Sequence, residues 1–295
     1  MSAARTLIIA LLAGLVAGLS GCAQMDSMRR EFVGLRYVQS AAQQLARLPV
    51  DRAGAVRNLD RALALLPDDP TVRTLAGPLY VEAGAYERAL PLFALTDEDH
   101  DRQRDVLFAQ CLLQTGQRQR GIGICRKQIA EAVGLRRRKA IGSAQFALLM
   151  NAAGYILADA NADLGPAEAA IKEAVKLRPL QPAFVDSMGW VRFRQGHLKD
   201  AAFYLERAVR LCPHEHPEIL YHLGVAYARL GRIGDAERTL KRVCWLDPGY
   251  EEARTELRRL GRELPQPLFA LACRATGAHP PLPRLRGTRV RSALL

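Results

Sequence analysis

The sequence predicts an all-α chain: a solenoid of about six helix–turn–helix units closed by a C-terminal capping helix. Three observations predict it. Residues 181–213 and 214–248 overlay, so that Gly189 falls on Gly224, Gly196 on Gly231, Ala201 on Ala236 and Pro213 on Pro248, each pair 35 residues apart. Self-similarity at such a period means stacked structural units. The punctuation then divides each unit in two: Gly231 sits where one helix must end in a left-handed residue, and Pro248 cannot continue the next. Upstream, Phe32–Leu48 and Arg52–Leu66 space their apolar residues as helices do.

The last unit also carries Leu223-Gly224, Tyr227, Gly231, Ala236, Leu240 and a closing Pro248. In these positions it resembles a tetratricopeptide repeat, a helix–turn–helix of about 34 residues. Small residues such as Gly224 and Ala236 fall where two helices cross. The resemblance runs from Phe32 to Leu260. It implies a right-handed superhelix whose first helices line a concave face, and a protein that holds other proteins rather than one that catalyses.

In chain order, Met1 to Ala23 is a targeting segment. Arg5 gives a positive start, and Leu7 to Leu19 is an uncharged run of 13 residues, too short to span a bilayer comfortably and suited to a signal-peptide core. It ends in Leu19-Ser20-Gly21-Cys22, which resembles a bacterial lipoprotein signal. That implies cleavage after residue 21 and acylation of Cys22, with the chain tethered by residues 22–31. More than one acyl chain makes such an anchor stable. Ala23, in place of a retaining Asp, favours the outer membrane facing the periplasm over the inner membrane or secretion. No transmembrane helix follows the signal.

The repeats occupy residues 32–262, with units near 32–67, 68–101, 102–135, 147–181, 182–216 and 217–249 and a cap at 250–262. In unit one, Ala55, Leu59, Ala62 and Pro67 fall in second-helix positions. Unit two is marked by Gly77, Tyr80, Gly84, Ala89 and Phe93. Unit three keeps the spacing with Ala109, Leu112, Gly116, Gly121 and Cys125, although Gly121 and Gly123 weaken its second helix. Residues 136–146, opening with Arg136-Arg137-Arg138-Lys139, are inserted relative to the period and form either a longer helix or a loop. Unit four follows with Gly154, Ala167, Ile171, Ala174 and Pro179. The tail, residues 263–295, has five prolines and five arginines and no acidic residue after Glu263; such a composition does not pack.

Motif chemistry is sparse. Of the cysteines beyond Cys22, none has a CxxC spacing. Cys111 could face Cys125, and Cys212 could face Cys244, either as disulfides in an oxidising compartment or as small buried hydrophobes. His214-Glu215-His216 lacks the further ligands a metal needs. Asp97–Asp101 alternates acids but has Arg102 and Phe108 where a calcium loop needs Gly and Glu. No phosphate loop, dinucleotide fingerprint or nucleophile elbow is present. No metal, cofactor or catalytic site is therefore expected. The formal charge of +12 would suit phosphates, but the basic runs lack interleaved aromatics and an exported chain does not meet cytosolic nucleic acid. Nucleic acid is thus excluded as a partner. A solvated tail is expected, and anionic headgroups are the contact it would suit.

Placed on the repeat pattern, the first helices put Asn151 and Tyr155 on the concave face, with Asp186, Trp190 and Arg194 from the next unit and Tyr221, His222 and Arg229 from the last. Trp, Tyr and Arg are enriched at binding hot spots, so this face is expected to take a protein or peptide partner. The set of Lys and Asn that grips a terminal carboxylate in some repeat proteins is missing. Packing of Trp190 and Tyr221 between neighbouring helices is the competing account. A lipid-anchored adaptor for an outer-membrane or export complex is the function this implies. The alternative is a permanent structural subunit that uses its convex face and tail.

Overall fold

The computed structural model describes the backbone of residues 3–93 and 102–262, with side chains for 25–93 and 104–262. The described residues form thirteen helices and no strand. They fall into two compact units, Met1–Ala46 with Arg52–Leu92, and Arg47–Asp51 with Phe93–Leu295.

The first unit holds α1 (Ala3–Ala46), α2 (Arg52–Leu65), α3 (Pro70–Glu82) and nearly all of α4 (Tyr86–Phe93). Helix α1 begins far upstream of the Phe32 start expected from the apolar spacing and passes without a break through the proposed tether. Its C-terminal half buries Val38, Ala41 and Leu45, which face Ala55, Leu59 and Ala62 of α2 and Val72, Ala76 and Tyr80 of α3. Asp69 caps α3, its carboxylate accepting from the Val72 N–H at 2.8 Å, and Pro70 follows at the first helical position, where a missing N–H costs nothing. The buried Tyr80 hydroxyl donates to Asp60 at 2.7 Å, and Asp60 also pairs with Arg88.

In the second unit the helices come in antiparallel pairs: α5 (Arg102–Gln114) with α6 (Arg118–Arg137), α7 (Ser143–Asp159) with α8 (Leu164–Leu177), α9 (Pro182–Arg194) with α10 (Leu198–Leu211), and α11 (Pro217–Arg229) with α12 (Ile233–Leu246). Each pair packs on the next, and α5, α7, α9 and α11 also touch in sequence, forming a row of first helices. The second helices alternate Ala and Leu at the crossing: Ala201, Leu205 and Ala208 on α10 and Ala236, Leu240 and Val243 on α12 are all fully buried. Gly231 closes α11 with φ +73°, the left-handed value that spares a side chain's steric cost. Helix α13 (Glu251–Arg259) covers the end, burying Ala253, Glu256 and Leu257 and exposing Glu251, Glu252, Arg258 and Arg259, as a solenoid cap must.

The insertion is helical at its two ends, residues 136–137 and 143–146, with a non-helical link over 138–142. It lengthens α6 to 20 residues, against 14 in α8, α10 and α12, and α7 to 17 against 13 in α9 and α11. Between them lies a short link with Lys139 at φ 58°. Ala132, Ile141, Phe146 and Ala147 pack there into one apolar cluster, which is why the extra residues stay ordered. The Asp97–Asp101 motif, Cys273 and the tail lie outside the described residues.

The two glycines expected to weaken α6 behave differently. A Cβ at Gly121 would lie 2.7 Å from Leu113 Cγ and 2.8 Å from the Ala109 carbonyl oxygen, whereas one at Gly123 would meet nothing within 4 Å. Gly123→Ala is therefore expected to raise stability by about 0.5–1 kcal/mol, and Gly121→Ala to lower it by about 1–3 kcal/mol. Chemical denaturation of the two variants should show midpoints moving in opposite directions.

Candidate functional site

The 35-residue step places Asn151, Asp186 and Tyr221 at equivalent positions on α7, α9 and α11; Tyr155 matches Trp190, and Asp159 matches Arg194 and Arg229. In the structure Tyr155, Asp159, Asp186, Trp190, Arg194, Tyr221 and His222 meet across the first-helix row. The Trp190 indole stacks between Phe193 at 4.9 Å and His222 at 4.1 Å, and its N–H donates to Asp159 Oδ1 at 3.1 Å. His222 Nδ1 lies 3.0 Å from both Asp186 carboxylate oxygens. The Tyr155 hydroxyl donates to Glu218 at 2.5 Å. Three successive units are thus tied together by aromatic stacking and by paired charges.

This arrangement corrects the expectation that the candidate residues are exposed together. Trp190 is 4% exposed, Asp186 5%, His222 2% and Asn151 9%. Neighbouring first helices approach closely, so a large aromatic at this place fills the space between them, and the acids and histidine survive burial only because each has a partner. Tyr155 and Tyr221 are half-buried, Tyr221 lying 5.1 Å from Tyr250 of the cap. Arg229 is exposed but engaged, its guanidinium 2.6 Å from the buried Glu256 carboxylate on α13. Arg194 lies half-buried over the Trp190 ring, one Nη donating to the Asp159 carbonyl oxygen at 2.8 Å while its Nε is buried without a partner. The Asn151 Oδ1 is likewise unpartnered.

Burial shifts the titrations. It raises the Tyr155 hydroxyl well above its usual value, helped by Glu218 and Asp159, and pushes Tyr221 up to about 12. For His222 desolvation is the largest influence and acts downward, but Asp186, through charge and hydrogen bond, together with Glu218 and Asp159, outweighs it and leaves the imidazole pKa raised. A raised folded-state pKa contributes stability that is fully present below about 6.5 and is lost as pH climbs through the folded value. We therefore expect the urea midpoint to fall as pH rises from about 6 to about 9. Asp186→Asn should flatten that slope.

Beside this network lies a cleft of about 250 Å³, bounded by Gln110 and Gln114 of α5, Arg118 at the start of α6, Tyr155 and Asp159 of α7 and Arg194 of α9. Arg118 donates to the Asn161 carbonyl oxygen at 3.3 Å, which holds the α6 start against the end of α7. The cleft offers two amides, two guanidiniums, a phenol and one carboxylate. Sequence reasoning missed Gln110, Gln114, Arg118 and Asp159. Aligning Gly116 on Gly196 would have set Gln114 on Arg194, but the insertion breaks the period between them.

The remaining motifs have structural roles. Cys111 and Cys125 are fully buried free thiols, both pushed up to about 12 by burial, and Cys212 and Cys244 are free as well. Neither possible disulfide is formed, and protonated thiols of this kind are poor nucleophiles. Glu215, flanked by His214 and His216, accepts at 2.9 Å from Nε of the buried Arg242, whose guanidinium lies 4.2 Å from the Trp245 ring. Among the described residues no cluster of three or more His, Cys, Asp or Glu is placed to hold a metal. Among them, too, no helix is long and apolar enough to cross a membrane.

Such a stack of helix pairs is a helical-repeat fold. Residues 192–243 match the tetratricopeptide repeat family, whose members are generally non-catalytic and bind protein partners. Over 78 residues the chain is 47% identical to the TPR repeat-containing protein PA4667 of Pseudomonas aeruginosa, a match covering 26% of this chain and 13% of that protein. It is similar in structure to PilW, a widely conserved type IV pilus biogenesis factor, at 18% identity, covering 76% of this chain and 98% of that one with a TM-score of 0.47. A second similar structure, the thermophilic TPR protein TTC0263 of Thermus thermophilus, shares 17% identity over 77% of this chain and 98% of its own, with a TM-score of 0.38.

Proposed function

We propose that this protein is a non-catalytic adaptor of the bacterial envelope, which holds a segment of a partner protein along its row of first helices and supports assembly of an outer-membrane or export complex. Acylated Cys22 tethers it to the outer membrane on the periplasmic side. The cleft beside Tyr155 and Arg194 carries this reading. It gathers hydrogen-bonding side chains from three consecutive helix pairs, and an incoming peptide supplies donors and acceptors at every residue.

The test is a membrane pull-down with the wild-type chain and with Gln114→Glu/Arg118→Glu, both exposed positions whose replacement leaves the core intact. Circular dichroism checks the fold. Loss of a specific partner from the variant alone supports the cleft, and mass spectrometry of the mature chain should find an acyl group on Cys22. Recovery of the same proteins with both chains rejects it. One observation favours the structural-subunit alternative: Leu180, Phe203 and Leu177, on the side of the second helices, are exposed by 68%, 59% and 40%.

A further inference from the structure

Helix α1 carries an apolar stripe that the fold does not use. Met25 is 68% exposed, Met28 54%, Phe32 63% and Leu35 41%. At 100° per residue these four fall within an arc of about 80°. The face that packs into the first unit is a different one, made by Gly34, Val38, Ala41 and Leu45. Arg29 and Arg36 border the exposed stripe on one side, with the Arg36 guanidinium 5.9 Å from the Phe32 ring, and Glu31, which accepts from the Ser27 hydroxyl, borders it on the other. Asp26 and Arg30 point away from it, and all the polar residues of the segment are exposed.

We propose that residues 25–36 form an interfacial helix that lies on an anionic phospholipid surface, with Met25, Met28, Phe32 and Leu35 sunk into the boundary between headgroups and acyl chains. The inference rests on the tether reading, because the stripe begins three residues after Cys22. An acyl chain there would hold the stripe at the bilayer from the moment of anchoring. A helix of this kind buries its apolar face roughly 5–10 Å into the interface. Arg29 and Arg36, on one edge of the stripe, then reach lipid phosphates. A second copy of the chain is the other possible occupant, but the stripe covers less than two heptads, whereas a self-standing coiled coil needs about three or four. The consequence is an orientation: the first unit is pinned to the membrane by a helix face as well as by a lipid.

Nitroxide labels at Met28→Cys, at Phe32→Cys and, as the control on the polar side, at Arg30→Cys would test this. The background carries Cys212→Ser and Cys273→Ser; Cys111, Cys125 and Cys244 are buried. The full chain, processed by the host and purified from its membranes, is reconstituted in phosphatidylethanolamine–phosphatidylglycerol vesicles. Accessibility of each label to oxygen and to a water-soluble nickel complex is read by electron paramagnetic resonance. We expect positions 28 and 32 to favour oxygen several-fold over position 30. Acylated Cys22 with all three labels equally open to nickel would overturn the docked helix while leaving the tether intact. Dipolar broadening between labels at position 32 on different copies would also overturn it, in favour of a dimer. A chain that carries no acyl group and fails to bind the vesicles would reject tether and helix together.

Discussion

Trp190→Ala is expected to destabilise the second unit by about 3–5 kcal/mol, the range for a buried large aromatic cut to a methyl. Three losses add in the same direction. The indole leaves a cavity between Phe193 and His222, its stacking on both rings goes, and Asp159 Oδ1 loses its N–H donor. Since Trp190 links α9 to both α7 and α11, the loss weakens two interfaces of the stack, and nearest-neighbour contacts are what hold a repeat array together. Thermal melts should show a transition lowered by on the order of 10 °C. Trp190→Phe, which keeps a ring and loses the hydrogen bond, should cost far less, about 1 kcal/mol.

Glu215→Ala is expected to cost about 2–4 kcal/mol, because it strands a charged guanidinium in the protein. Arg242 is 6% exposed, one of its Nη atoms already lacks a partner, and Glu215 supplies its carboxylate contacts. Removing one member of a buried pair is more damaging than removing both. The partial exposure of Glu215, at 24%, moderates the figure. The double variant Glu215→Ala/Arg242→Met should therefore regain much of the loss, and a double-mutant cycle read by urea denaturation measures the coupling. A Glu215→Ala variant as stable as wild type would mean that the pair is solvated and contributes little.

Much of the fold was legible because helical repeats write their packing into the sequence. Gly189 and Gly224 mark places where a Cβ would run into Leu205 and Leu240, and Gly231 marks a left-handed turn. Both kinds of position tolerate few residues. The site was harder to read. The 35-residue register placed Trp190, Asp186 and His222 on the first helices, but register does not say how far a side chain reaches towards the next helix. That depends on inter-helix distance, and burial of all three followed from a close approach that no single unit encodes. Arg229 looked free because its partner, Glu256, comes from the cap, outside the period. Gln114 and Arg118 were hidden by the insertion, which shifts unit three out of phase with the rest. The length of α1 is also invisible to the repeat pattern, since the stripe from Met25 to Leu35 contributes nothing to the solenoid core.

The claim that the row of first helices holds a partner protein is tested most directly by photo-crosslinking in the cell. A photoreactive residue is placed at Gln114, in the cleft, and in a second chain at Phe203, exposed on α10. After irradiation, membranes are solubilised and adducts are identified by mass spectrometry. We expect a discrete adduct with another protein from position 114, suppressed by Arg118→Glu, and none of comparable yield from position 203. Adducts from position 203 with none from position 114 would contradict the adaptor reading and make the outer face the working surface.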